Sequence, residues 1–97
     1  MEQLIRQHLE SHVPADKYTK LQLECRTTFC ELSMEGTDKE GLALVEKVAN
    51  DIPNQPWSDI AQKGGGGGSA GGQWHLEREW YRPTTESERR TWLRQRN

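Results

Sequence analysis

Four side chains of this chain could act together as a metal site. His8 and His12 stand four residues apart, Cys25 and Cys30 have four residues between them, and twelve residues separate His12 from Cys25. Two imidazoles and two thiolates are the donors of a tetrahedral zinc site, and this is the spacing of a two-Cys, two-His finger with its order reversed. The four converge if the helix that carries the histidines docks on the end of the chain segment that carries the cysteines. The alternative for His8 and His12 is plainer: they border an apolar helical stripe and reach to solvent. A chain with its own hydrophobic core, moreover, needs no metal to fold.

Beside metal, the cysteines admit a structural disulfide, a redox-active pair or simple free thiols such as a cytosolic chain would hold, and the stretch Leu21-Gln-Leu-Glu-Cys-Arg-Thr-Thr-Phe-Cys-Glu-Leu-Ser-Met34 bears on the choice. It reads as two alternating strands folded into a hairpin. Placing Cys25 opposite Cys30 also places Leu23 opposite Leu32 and Leu21 opposite Met34, with Gln22, Glu24, Glu31 and Ser33 on the other face. A slip of one residue breaks the apolar match and the cysteine match together. The leftover loop, Arg26 to Phe29, has a common hairpin length, and directly opposed cysteines lie within disulfide reach. The register therefore favours a disulfide clamp. A redox role ranks third, because the helix N-terminus that activates the thiol in Cys-x-x-Cys enzymes has no counterpart across a hairpin.

The segment Glu24-Cys25-Arg26-Thr-Thr-Phe-Cys30-Glu-Leu32, preceded by alternating apolar residues and followed by a helix, resembles the cysteine-pair hairpin of uncharacterised small domains in exported bacterial proteins. The resemblance covers about a third of the chain. It implies an envelope or secreted setting and no known activity.

Other reactive constellations find little support. Ser11, Ser33, Ser58, Ser69 and Ser87 sit in no Gly-x-Ser-x-Gly elbow. The glycines after Lys63 are followed by no Lys-Ser/Thr pair and open no helix, so they cradle no phosphate. Glu77 and Glu79 share one strand face and read as solvated surface rather than an acid–base pair. Aromatic residues are the better clue to a binding surface. Trp57, in Asn54-Gln-Pro-Trp-Ser58, reads as a lid over the core or an anchor for a partner, and Tyr81 and Trp92 join it as candidate contact residues.

The elements that must position these groups follow from periodicity. Residues 2–12 place Leu4, Ile5, His8, Leu9 and His12 along one side of a helix that Pro14 stops. Thr37-Asp-Lys-Glu40 fits a capping box opening a second helix, with Leu44, Val45, Val48 and Ile52 on one face and Pro53 at its end. Residues 64–72, glycine with one serine and one alanine, have the composition of a flexible linker. Beyond them Trp74, Leu76 and Trp80 alternate with His75, Glu77, Glu79 and Tyr81 as a third strand. Arg78 falls on its apolar side, expected near an edge where the guanidinium reaches water. Thr85-Glu-Ser-Glu88 caps a short last helix carrying Trp92, Arg94 and Arg96. The expectation is one α+β domain over residues 1–97, in the order α-β-β-α-β-α. Its three-stranded sheet has spatial order 2-1-3, with the third strand beside the first and the helices on one face.

Charge and composition narrow the function. The 97 residues carry a net charge of −2, split between −4 over residues 1–63 and +2 over residues 73–97. That polarity is far from a nucleic-acid footprint. No apolar run approaches the roughly 18 residues of a membrane span. Met1 leads straight into Glu2-Gln-Leu-Ile-Arg6, so no secretory leader is present, and bridged cysteines would imply that one had been removed. The sequence reading is a non-enzymatic, disulfide-clamped binding or structural module without cofactor, periplasmic or secreted, whose partner is another protein. The zinc module of His8, His12, Cys25 and Cys30 is its rival.

Overall fold

The structure, a computed structural model, describes residues 1–95, apart from the side chains of Trp92 and Gln95. Helix α1 (Glu2–His12) turns Ile5 and Leu9 inward. Its end is set where Val13 turns extended and its N–H donates to the Leu9 carbonyl at 2.8 Å, just before Pro14. Strands β1 (Lys20–Cys25) and β2 (Phe29–Gly36) pair antiparallel in the register the apolar pattern demands, with Cys25 opposite Cys30, Leu23 opposite Leu32 and Leu21 opposite Met34. On β2 the alternation is complete: Cys30, Leu32 and Met34 are buried while Glu31 and Glu35 are exposed.

Helix α2 (Lys39–Asn50) starts one residue later than the expected capping box. Asp38, not Thr37, is the N-cap, and its carboxylate accepts from the Glu40 N–H at 2.9 Å. Lys17 explains the choice. Its ammonium lies 3.0 Å from Asp38, holding a charged carboxylate where helix amides and dipole favour one. From α2, Val45, Val48 and Ala49 enter the core, and Ile52 follows in a single 3-10 turn with Pro53.

The expected three-stranded sheet of order 2-1-3 is overturned. Among the described residues there are four strands, in the order β1-β2-β4-β3, all neighbours antiparallel. The additional strand is β3 (Ala61–Ala70), and it contains most of the segment read as a flexible linker. Gly71 and Gly72, with φ of 60° and 81°, make the two-residue turn into β4 (Gln73–Tyr81). Two successive positive φ angles define the hairpin turn whose twist matches the strands, and glycine adopts them at no steric cost. The strand expected third, β4, consequently lies beside β2 rather than β1. The crossover argument does apply, but to β3. Because β3 and β2 both run antiparallel to β4, the strand after α2 is parallel to β2, and β4 fills the gap between them.

Helices α1 and α2 cover one face of this sheet, burying Leu23, Leu32, Met34, Trp74, Leu76 and Trp80 against Ile5, Leu9, Val45 and Ile52. The other face presents Gln22, Glu24, Glu31, Ser33, Glu77 and Glu79. Helix α3 (Glu86–Gln95) opens with the expected reciprocal box: Glu88 N–H donates to Thr85 Oγ1 at 3.1 Å, and Thr85 N–H donates to the Glu88 carboxylate at 3.1 Å. Those backbone donors, Thr85 first and Thr84 next, hold the Glu88 carboxyl below its usual range. Among the described residues no helix is long and apolar enough to cross a membrane.

Candidate functional site

The least ordinary arrangement lies where α2, β4 and β3 meet. Gly65 stands opposite Arg78 and Gly66 opposite Glu77. Arg78 points to the helix side with Leu76 and Trp80, and it is only 7% exposed. A buried guanidinium is tolerated only where acceptors replace water. Here Nε donates to Asn50 Oδ1 at 2.8 Å, Nη1 donates to the carbonyls of Gly66 at 3.0 Å and Glu77 at 2.7 Å, and Nη2 lies 3.9 Å from a Glu46 carboxylate oxygen. Arg78 was expected near an edge; it sits on an interior strand instead, and protein oxygens do the work assigned to solvent. Gly65 makes this possible. A Cβ there would meet the Glu77 carbonyl and come within 2.8 Å of Arg78 Cδ.

Above this contact runs a groove of about 580 Å³, floored by Gly65–Gly68 and walled by Leu42, Glu46 and Asn50. Gly64 and Gly66 face the other side of the sheet, opposite Glu79 and Glu77, and a Cβ on either would meet nothing within 4 Å. Packing explains Gly65; it does not explain Gly64 or Gly66. Since β3 ends the sheet, no described strand pairs its outer side. The opposite edge is different. There the Cys25 N–H, turned away from β2, donates to the Glu2 carboxylate at 2.9 Å, so α1 closes part of the β1 edge.

The structure divides the zinc set. Cys25 and Cys30 are bonded to each other, with Cα atoms 4.0 Å apart, which occupies both sulfurs. It is Glu2, at the start of α1, that reaches the cysteine end of the hairpin. His8 lies six residues further along the helix, about 9 Å of rise away. Among the described residues no group of three or more His, Cys, Asp or Glu side chains is arranged to hold a metal ion. A carboxylate beside Cys25 is also the reverse of the cationic surroundings that stabilise a thiolate.

His8 instead meets His12 at 4.3 Å between ring centroids and Trp57 edge-on at 5.7 Å. Burial, and then the neighbouring His12, lower the His8 pKa, while Asp51 pulls it up. Trp57 is half-buried and packs on the core from the helix side, whereas Tyr81 ends β4 on the opposite face, between Phe29 and Ala61. The two do not form one surface. The side chain of Trp92 lies outside the described residues.

Sequence reasoning missed β3, Asn50 and Glu46. The signals were an arginine at an apolar position of an alternating strand, Glu46 and Asn50 one helical turn apart, and the Gly-Gly pair at 71–72. Set beside known proteins, the chain matches no family model, no curated protein and no solved structure.

Proposed function

We propose that this chain is a non-enzymatic binding module, clamped by Cys25–Cys30, that works in an oxidising compartment such as a bacterial envelope or the exported space, and that it binds protein by strand addition at β3. The observation that carries the reading is the outer side of β3: a ten-residue strand ends the sheet with five consecutive glycines and no described strand beyond it. Edge strands in natural proteins are ordinarily short, bulged, charged or covered. Here Lys63, at the irregularity between Gln62 and Gly64, is the one charge on the strand. Main-chain donors and acceptors are what an incoming strand uses for affinity. The disulfide supports the compartment, because such bonds persist where thiols are not kept reduced. The sheet's polar face supports a protein partner over nucleic acid, since Glu24, Glu31 and Glu79 stand abreast on β1, β2 and β4 and would repel phosphate.

The test is a titration of isotope-labelled protein with a short peptide of alternating threonine and valine, followed by amide shifts and hydrogen exchange. Perturbation and new protection should concentrate at residues 62–70. A response confined to the Trp57 region or the acidic face, or none at all, would reject strand addition at β3.

A further inference from the structure

We infer that the strand which β3 accepts is β3 of a second copy of this chain, so that two sheets join edge to edge across a two-fold axis near Gly66. The inference rests on the strand-addition reading and names its partner.

Four features point to a second copy rather than a foreign strand. The first is selectivity: strand addition discriminates among sequences through pockets for alternate side chains. Gly64 and Gly66 offer open space and no pocket, so the edge would choose no foreign sequence. A partner defined by shape alone must be equally flat and free of side chains, and Gly64–Gly68 of another copy is such a strand.

The second is symmetry. Every pairing in the sheet is already antiparallel, and antiparallel pairing of identical strands is what a two-fold axis produces, the commonest closed arrangement of identical chains. The third is charge. With the axis near Gly66, Lys63 of each copy falls opposite Ser69 of the other, about 20 Å along the seam from its counterpart at 3.4 Å per residue, and its ammonium lies over its own Phe29 ring, 5.2 Å from the centroid, away from the seam. Like charges do not meet.

The fourth is clearance. Helix α2 packs on β4, and a groove lies between it and Gly65–Gly68, with the Arg78 guanidinium reaching the Gly66 carbonyl on that side. Helix α3 touches β3 and follows Tyr81, the partner of Ala61, by a short connector. On the polar side of the glycine stretch a Cβ on Gly64 or Gly66 would meet nothing within 4 Å. A seam made almost wholly of backbone is narrow and falls below the roughly 1,200 Å² of a standard stable interface. The pair is therefore a weak dimer, governed by concentration.

Sedimentation of the full chain from roughly 10 µM to 1 mM spans the range in which such an equilibrium shifts. A reversible rise from monomer to dimer is expected, with slower exchange at residues 64–69 in the concentrated sample. The double variant Gly64→Lys/Gly66→Lys should keep its fold, because both positions are open and each lysine faces a glutamate of its own β4. It should dimerise at least tenfold more weakly at low salt, as lysines meet across the seam. Monomer at every concentration, or a variant that dimerises as tightly as the parent, overturns the inference. If the chain stays monomeric yet still binds the threonine–valine peptide along residues 62–70, self-pairing fails while strand addition stands; if neither occurs, both fail.

Discussion

Arg78 Nε donates to Asn50 Oδ1 at 2.8 Å, tying the interior strand β4 to the last residue of α2. The bond supports a buried cation, so the consequences of removing each partner differ. Asn50→Ala leaves the guanidinium short of an acceptor and should cost about 1–3 kcal/mol. Arg78→Met removes the charge with most of the volume kept and should be neutral or stabilising, as replacements of buried ions by apolar side chains often are. Urea unfolding of the two variants decides the matter. Equal losses would mean the guanidinium is not a buried liability but a net stabiliser.

The glycines of β3 should respond to substitution with opposite signs. Gly65→Ala forces a Cβ against Arg78 and the Glu77 carbonyl at a φ of 156°, and should destabilise by about 1–3 kcal/mol. Gly66→Ala adds a methyl group into open space and restricts the unfolded chain, and should stabilise by about 0.4–1 kcal/mol. Thermal melts compared at one concentration measure both. Indistinguishable variants would show that β3 does not hold this register.

Reduction of Cys25–Cys30 should lower stability without unfolding the protein. The closed loop is short, and loop entropy assigns the bond about 2 kcal/mol. The Cys25→Ser/Cys30→Ser variant should melt cooperatively at a lower temperature, with Leu23, Leu32 and Met34 still buried. A variant with no melting transition would mean that the clamp, not the core, holds the hairpin.

The His8 cluster should make stability rise with pH. His8 has a lowered pKa in the folded state, so near and below its unfolded value of about 6.5 the unfolded chain binds more protons. The contribution is present above about pH 6.5 and is lost as pH falls through the folded value. Burial first, and then His12 from α1, oppose a charge there, while Asp51 favours it. His8→Gln should flatten the slope of stability against pH in that window relative to the parent. An unchanged slope would place the titrating group elsewhere.

What the sequence made legible follows from side chains. The β1–β2 register, both covering helices, the face of β4 and the Thr85–Glu88 box each rest on alternation, helical spacing or a capping pair, and each is present. Strand β3 has almost no side chains to read. Gly64–Gly68 carries no periodicity and a composition suited to a linker, so its conformation is imposed by pairing with β4. Losing that one strand displaced β4 from beside β2 and made Arg78 look like an edge residue. Asn50 escaped notice for the same reason: its role exists only once β4 and α2 are brought together. Cys25 and Cys30 were legible as a pair because leucines and a methionine vouched for the register.

The order of the sheet also bears on how the chain comes to be folded. A nascent chain emerges from its N-terminus, yet β4, flanked by β2 and β3, is the last of the described strands to appear. Until Tyr81 has been made, β2 has β1 on one side and nothing on the other, and the glycine strand has no template at all. The first sixty-odd residues can form the hairpin and the two helices but not close the core, since Trp74, Leu76 and Trp80 are still to come. Insertion of β4 is thus the closing event, and the molecule has little reason to become cooperative before it.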